Sequence, residues 1–539
     1  MPNVTRLLGA LALVAGTAGA QLPPDTVPLR DLSAFRAPGT WRVENGVLRG
    51  DGEIATTWKH GDIDLELEAR VPPGGSASVV LQGRHEIRLR DRGPSGIVGV
   101  VPRMDASRAA GLWQTLRVQF RAARDGTLAR FARVELNGAI IQENVAVAGT
   151  TTEPGPLVLR GTGGAAAFRR VRFKRYGGDR VALTGQRYRA WQGEFASLAQ
   201  ATAGVPAREG AADGITSRLS GASDKFAVAV DGTLRVPVAG PYQFDLGFDW
   251  VDDDPQFKGT VVGGGAVSVD GREVVRHEGR LPNATGTVTL TPGDHRLSLV
   301  YYKNRPWTGR TEPTLYVEGP GVARQALHAA RTPDLPGAIL VDAESGPVVQ
   351  RGFVWLGDVK RTHAAAVGDP SGTHYAIDLA TGALMLAWRG PFVDATDMWH
   401  ERGNDQDLRP LGSVLTLGTP TWPDSGGYVA QGYALDAEGR PTFLARLGGV
   451  QVEDRLRADS AGLHRTLRLR GAGDGLVVRL AAAPTVTRLG DGRWLVGDGE
   501  YYVVPERGTE VTVRATAAGQ ELVARPHGAD ATVAYTIQW

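Results

Sequence analysis

The chain has 539 residues, with 60 Lys and Arg against 58 Asp and Glu and no cysteine. Its formal charge of +2 is spread as interspersed acids and bases, which gives no footing for nucleic acid. The missing cysteines exclude disulfides, c-type haem attachment and a lipid anchor at an N-terminal cysteine. A composition of 72 Gly and 32 Pro amid sustained aliphatic alternation predicts an all-β chain of short strands and many turns, with no nucleotide fingerprint.

The N-terminus reads as a cleavable signal peptide over residues 1–20. Arg6 precedes an apolar run too short to span a bilayer, and Ala18-Gly19-Ala20 supplies an A-x-A site, so the mature chain is expected to start near Gln21. That implies a secreted, periplasmic or cell-surface protein. No later window approaches the roughly 18 apolar residues of a transmembrane helix.

Residues 21–178 predict a two-sheet sandwich. Ile63, Leu65, Leu67, Ala69 and Val71 alternate with Asp64, Glu66, Glu68 and Arg70, and Leu116, Val118 and Phe120 repeat the pattern. Asn45-Gly46 and Asn137-Gly138 predict tight hairpin turns. Residues 176–224 are less regular, and Val262-Gly263-Gly264-Gly265-Ala266 reads as a loop. A second β module over 179–335 follows from Phe226-Ala227-Val228, from Tyr242, Phe244 and Leu246, and from an Asp270-Gly271 hairpin. Leu297, Leu299 and Tyr301 share a face, which sends Tyr301 inward and Tyr302 outward. The third part, 336–539, is a β-rich domain closed by a strand that carries Val533, Tyr535, Ile537 and Trp539 on one face.

Five ordered strings in the first module carry a family resemblance: Asp31-Leu32-Ser33, Trp41-Arg42-Val43-Glu44-Asn45-Gly46-Val47-Leu48, Gly61-Asp62-Ile63-Asp64-Leu65, Gly111-Leu112-Trp113-Gln114-Thr115 and Gly155-Pro156-Leu157-Val158-Leu159. They resemble the 3-keto-disaccharide hydrolase family, which is also grouped loosely with family 16 glycoside hydrolases. The resemblance implies a concanavalin-like jelly roll and a site for an oxidised glycoside. His85-Glu86-Ile87-Arg88 stands where the family has a Tyr-Glu-Val-Gln strand, which makes Glu86 the residue to carry over. A carboxylate there would abstract a proton made acidic by an adjacent ketone, or help a divalent metal polarise that ketone. The family's later Gln-Asp-His segment is replaced by Arg160-Gly161-Thr162, so a proton-transfer or metal-binding pair is missing. Alternation puts His85 on the face opposite Glu86. Arg88 shares that face with Glu86, and the plain alternative is an exposed Glu86–Arg88 ion pair.

The second module resembles PA14 domains through Gly240-Pro241-Tyr242-Gln243-Phe244, Asp252-Asp253-Asp254, Val269-Asp270-Gly271 and Leu290-Thr291-Pro292-Gly293-Asp294-His295. The resemblance implies a Ca2+ site at Asp252 and Asp253, the alternative being a solvated acidic turn. Tyr302 and Trp307 are candidates for stacking on a sugar. In the third part His363, His374, His400 and Glu401 form a candidate metal set, although their spacing matches no compact zinc motif. Packing roles are the alternative for these histidines and for Trp388 and Trp399. Asp394 and Asp397 are expected to cap turns.

Two functions follow. One is an exported carbohydrate-binding or cell-surface structural protein whose partners are glycans and cell-surface proteins. The other is a hydrolase or lyase acting on 3-keto-glycosides through Glu86.

Overall fold

A computed structural model describes residues 25–26, 29–36, 39–124, 126–149, 152–248, 263–278, 283–304, 313–329, 337–399, 406–424, 426–459, 461–473 and 475–539. The segment read as a signal peptide and the candidates Asp252, Asp253, Trp307, His400 and Glu401 lie outside these residues. The described chain is a multidomain β protein of discrete antiparallel sheets, with helices only at Leu198–Ala201, Ser217–Ser220 and Thr396–Trp399. Among the described residues no helix is long and apolar enough to cross a membrane. Contacts divide the chain into two compact units: Arg175–Asp334 forms one, while Asp25–Lys174 and Leu335–Trp539 together form the larger one.

The larger unit begins with the strands predicted by alternation, hydrogen-bonded as one twelve-stranded sheet where two sheets are expected. Its strands run in the order Ala139–Ala146, Arg130–Leu136, Trp113–Arg121, Asp62–Arg70, Gly155–Tyr176, Ser76–Leu81, His85–Arg90 and Gly96–Ile97, and Val47–His60 pairs with the long Gly155–Tyr176 strand off this path. Ile63, Leu65, Leu67, Ala69, Val71, Leu116, Val118 and Phe120 all enter one core with Ile87, Leu89 and Phe168. Both predicted hairpins form: Asn45 and Gly46 take φ of 50° and 74°, Asn137 and Gly138 49° and 84°, the left-handed pair that a two-residue turn requires. Trp41 lies flat on Gly50, where a Cβ would stand 2.4 Å from its ring.

Residues from 337 onward add a five-stranded sheet from Val348–Leu356 to Ser413–Thr416 and an eight-stranded one. In the latter, Asp530–Gln538 is the closing strand, flanked by Gly462–Arg470 and Tyr501–Pro505. Val533, Tyr535, Ile537 and Trp539 are buried, as their alternation predicts. This core also takes in Leu112 of the first sheet region. Nearby the Trp113 amide donates to Gly499 O at 3.2 Å, the Tyr502 hydroxyl donates to Ala110 O at 3.0 Å, and the Arg70 and Arg169 guanidiniums both lie against the Trp113 ring. Inside it Arg465 and Asp454 form a buried ion pair at 2.6 Å.

The unit Arg175–Asp334 has a six-stranded sheet and a four-stranded one, with Tyr242, Phe244, Leu246, Leu297, Leu299, Tyr301, Leu315 and Val317 in its core. Asp270 and Gly271 form the expected hairpin at φ 51° and 79°. Two expectations need correction. The irregular stretch contains a strand, Ala182–Gln192, whose residues are mostly exposed and so carry no apolar alternation. The glycine run read as a loop opens the strand Gly263–Val269, and it is glycine because a Cβ at 263 would stand 2.5 Å from Tyr302 O of the neighbouring strand.

Candidate functional site

Glu86 sits on the strand His85–Arg90, and strand parity decides its surroundings. Ile87 and Leu89 point into the core, while Glu86, Arg88 and Arg90 share the opposite face. Register across three strands then fixes a polar grid. Arg90 stands opposite Ser76, which stands opposite Thr162; Arg88 stands opposite Ser78, which stands opposite Arg160; and Glu86 stands opposite Val80, which stands opposite Val158. His85 turns the other way and packs 5.3 Å from the Phe120 ring, as alternation predicts.

The Glu86 carboxylate is fully engaged. Its Oε1 accepts from Ser78 Oγ and Arg88 Nε, each at 2.8 Å, and its Oε2 accepts from Arg160 Nη1 at 3.1 Å. Arg160 also pairs with Glu53 at 2.5 Å. Burial opposes ionisation of Glu86, but the hydrogen bonds from Arg88 and Ser78 and the charges of Arg88 and Arg160 outweigh it, holding the carboxyl below its ordinary range. A carboxylate stabilised in this way is a weak base. It also fits a divalent metal poorly, because two guanidiniums already occupy its oxygens and would repel a second cation. Arg160 comes just before Gly161-Thr162, the positions at which the Asp-His pair is missing, so a cation fills the neighbourhood where a second proton carrier was sought.

Sequence reasoning paired Glu86 with Arg88 but gave no role to Arg90, Ser76 or Thr162. The signal was present in the same alternation, two residues beyond Arg88. Arg90 makes no side-chain hydrogen bond or ion pair among the described residues. With Arg88 it lines a cleft of about 200 Å³ whose other wall is the segment 94–102.

The histidine set does not assemble. His363 and His374 lie at opposite ends of one hairpin, where Ala364 pairs with Asp378 and Val367 with Tyr375, about 16 Å apart along the strand. His363 is exposed, and among the described residues its ring hydrogen-bonds only with Thr362 Oγ1, at 3.1 Å. His374 is buried against the Trp388 and Phe392 rings, which stack on each other. Its Nδ1 accepts from the Asp369 amide at 3.1 Å, so Nε2 carries the proton and donates to Gly390 O at 2.8 Å. Neither nitrogen is left for a metal. Burial pushes the His374 pKa down despite Gly390 O and Asp369, which keeps the ring neutral. It lines a larger cleft of about 640 Å³, beside Asp105, Asp342 and Arg389. Among the described residues no group of three or more His, Asp or Glu side chains is placed to hold a metal.

Tyr302 also departs from expectation. It is buried, not exposed, because Trp191, Leu198 and Ala201 cover the second face of its sheet. Trp388 is in the core as expected, whereas Trp399 is 66% exposed. Asp394 does cap a turn, accepting from the Thr396 amide at 2.8 Å, and Asp397 pairs with Arg409 at 2.7 Å.

Residues 29–174 match the family described as a 3-keto-alpha-glucoside-1,2-lyase-like domain. No curated protein matches the chain. Among solved structures, a putative glycosyl hydrolase from Parabacteroides distasonis aligns at 17% identity and TM-score 0.22, over 28% of this chain and 99% of its own. An anti-sigma factor domain-containing protein from Clostridium clariflavum aligns at 11% and 0.21, over 55% and 90%. A beta-glucosidase from Kluyveromyces marxianus in complex with glucose aligns at 13% and 0.19, over 25% and 16%.

Proposed function

We propose that this is an exported carbohydrate-binding protein whose first sheet region keeps a keto-glycoside lyase-like scaffold and uses it for recognition instead of bond breaking. The observation that carries the reading is the state of Glu86. The carboxylate best placed to act as a base is locked to Ser78, Arg88 and Arg160, while the row of Arg90, Ser76 and Thr162, about 13 Å farther along the same face, leaves donors for a ligand. The match of residues 29–174 to a glucoside-lyase-like domain makes a saccharide the natural ligand class. In the same reading Arg175–Asp334 acts as a PA14-like glycan-binding module in which Asp252 and Asp253 hold Ca2+, and the mature protein works outside the cytoplasm.

The test uses the full chain and the Glu86→Gln protein with a panel of 3-keto-glycosides, with and without divalent metal, alongside binding of neutral glycans. Saturable glycan binding with no Glu86-dependent turnover is expected. Turnover that Glu86→Gln abolishes would overturn the reading in favour of the lyase alternative, which the family match also supports. For the second module, a calcium isotherm unchanged by Asp252→Asn with Asp253→Asn would remove those residues from the site.

A further inference from the structure

We infer that the cleft lined by Arg88 and Arg90 selects an acidic saccharide, a sugar ring bearing a carboxylate such as a terminal hexuronate. The inference rests on the carbohydrate reading above and narrows it to a ligand class.

Charge is the first ground. The face around Glu86 carries Arg88, Arg90 and Arg160 against Glu86 and Glu53. Both carboxylates are engaged, with Glu86 on Arg88 and Arg160, and Glu53 on Arg160. Arg90 is the cation left over. It is half-buried and has no ion pair or side-chain hydrogen bond among the described residues, so its planar fork is available for an oxyanion.

Shape is the second. The cleft of about 200 Å³ is bounded by Arg88, Arg90, Pro94, Val98, Val101 and Pro102. It is smaller than the roughly 300–1,000 Å³ typical of drug-sized ligands, which suits one ring at a chain end. Its apolar wall is open to an incoming molecule, since Val98 is 45% and Val101 89% exposed. A sugar's C–H surface can lie on such a wall while its carboxylate reaches Arg90. Ser76 and Thr162 continue the Arg90 row on the side of that strand away from the cleft, where a second sugar unit would extend.

The test is calorimetric titration of the full chain with cellobiouronate and with cellobiose, which differ only in a carboxylate replacing a hydroxymethyl group. The acid should bind about tenfold more tightly at low salt, and the preference should shrink as ionic strength rises. Arg90→Gln should abolish the preference for the acid over cellobiose, with the circular dichroism spectrum unchanged. Arg90→Lys, which keeps the charge without the fork, should retain part of the preference. Equal binding of both sugars by the wild type, or a preference that survives Arg90→Gln, would overturn this inference and leave the carbohydrate reading standing. Acetate binding as tightly as cellobiouronate would also overturn it, since the site would then recognise a carboxylate without a sugar. Absence of binding by either disaccharide, with neutral glycans also failing, would overturn both readings together.

Discussion

Replacing Asp454 with Asn isolates the cost of an uncompensated charge in the larger unit. The Arg465 and Asp454 side chains are only 3% and 7% exposed. Arg465 reaches the carboxylate through Nε at 3.0 and 3.2 Å and through Nη2 at 2.6 Å. Its remaining contacts are neutral acceptors: the Tyr535 hydroxyl at 3.3 Å, Gly382 O at 2.9 Å and Thr421 Oγ1 at 3.1 Å. Asp454→Asn preserves the shape and removes the only negative charge bonded to the guanidinium among the described residues, so a loss of about 3–5 kcal/mol is expected. Urea unfolding of the full chain, fitted as more than one transition because the chain has two compact units, should show that loss in one transition only. The double substitution Arg465→Met with Asp454→Leu should recover most of it, since an apolar pair has no charge to leave unpaired. A loss below about 1 kcal/mol for Asp454→Asn, or a double variant no better than the single, would refute the assignment of this pair as a buried, mutually dependent contact.

Other outcomes follow from the same geometry. Because the folded Glu86 carboxyl lies below its ordinary value, its ion pairs contribute stability in full above the unfolded pKa of about 4.3, and that stability is lost as pH falls through the folded value; melting curves of Glu86→Gln should lack this acid-side loss. His374 has a lowered folded pKa, so as pH falls through about 6.5 the unfolded chain takes up a proton first and stability declines. His374→Gln should flatten the change in melting temperature over that window. Tyr302→Ala should cost about 3–5 kcal/mol through lost burial against Trp191 and Leu198, with no selective loss of glycan affinity, and denaturation beside a binding titration separates the two effects.

The parts of the fold that could be read from the sequence are those in which one local rule acts alone. Asn45-Gly46, Asn137-Gly138 and Asp270-Gly271 are hairpins because their residues accept positive φ, and the run from Ile63 to Val71 is a half-buried strand because its side chains alternate. Tyr302 was misread because alternation assigns a face to a side chain but does not say whether another layer covers that face; here residues 191–201 do. Gly263 was misread because a glycine forced by a close neighbouring strand looks the same in sequence as a glycine in a loop. At the candidate site, alternation correctly separated His85 from Glu86. It could not reveal Arg160, which meets Glu86 only through pairing of strands 74 residues apart. The histidines were grouped by chemical type, and a hairpin holds two of them at opposite ends.

The larger unit joins two stretches of chain separated by the roughly 160 residues of Arg175–Asp334. During synthesis Leu112, whose burial depends on strands near the C-terminus, is made long before its neighbours. At about 5–20 residues per second, translation of the intervening unit alone imposes a wait on the order of ten to thirty seconds. The early sheet region must survive that interval with part of its apolar surface uncovered. Shielding by a chaperone should therefore raise the yield of the full chain more than that of Arg175–Asp334, whose strands are contiguous in sequence.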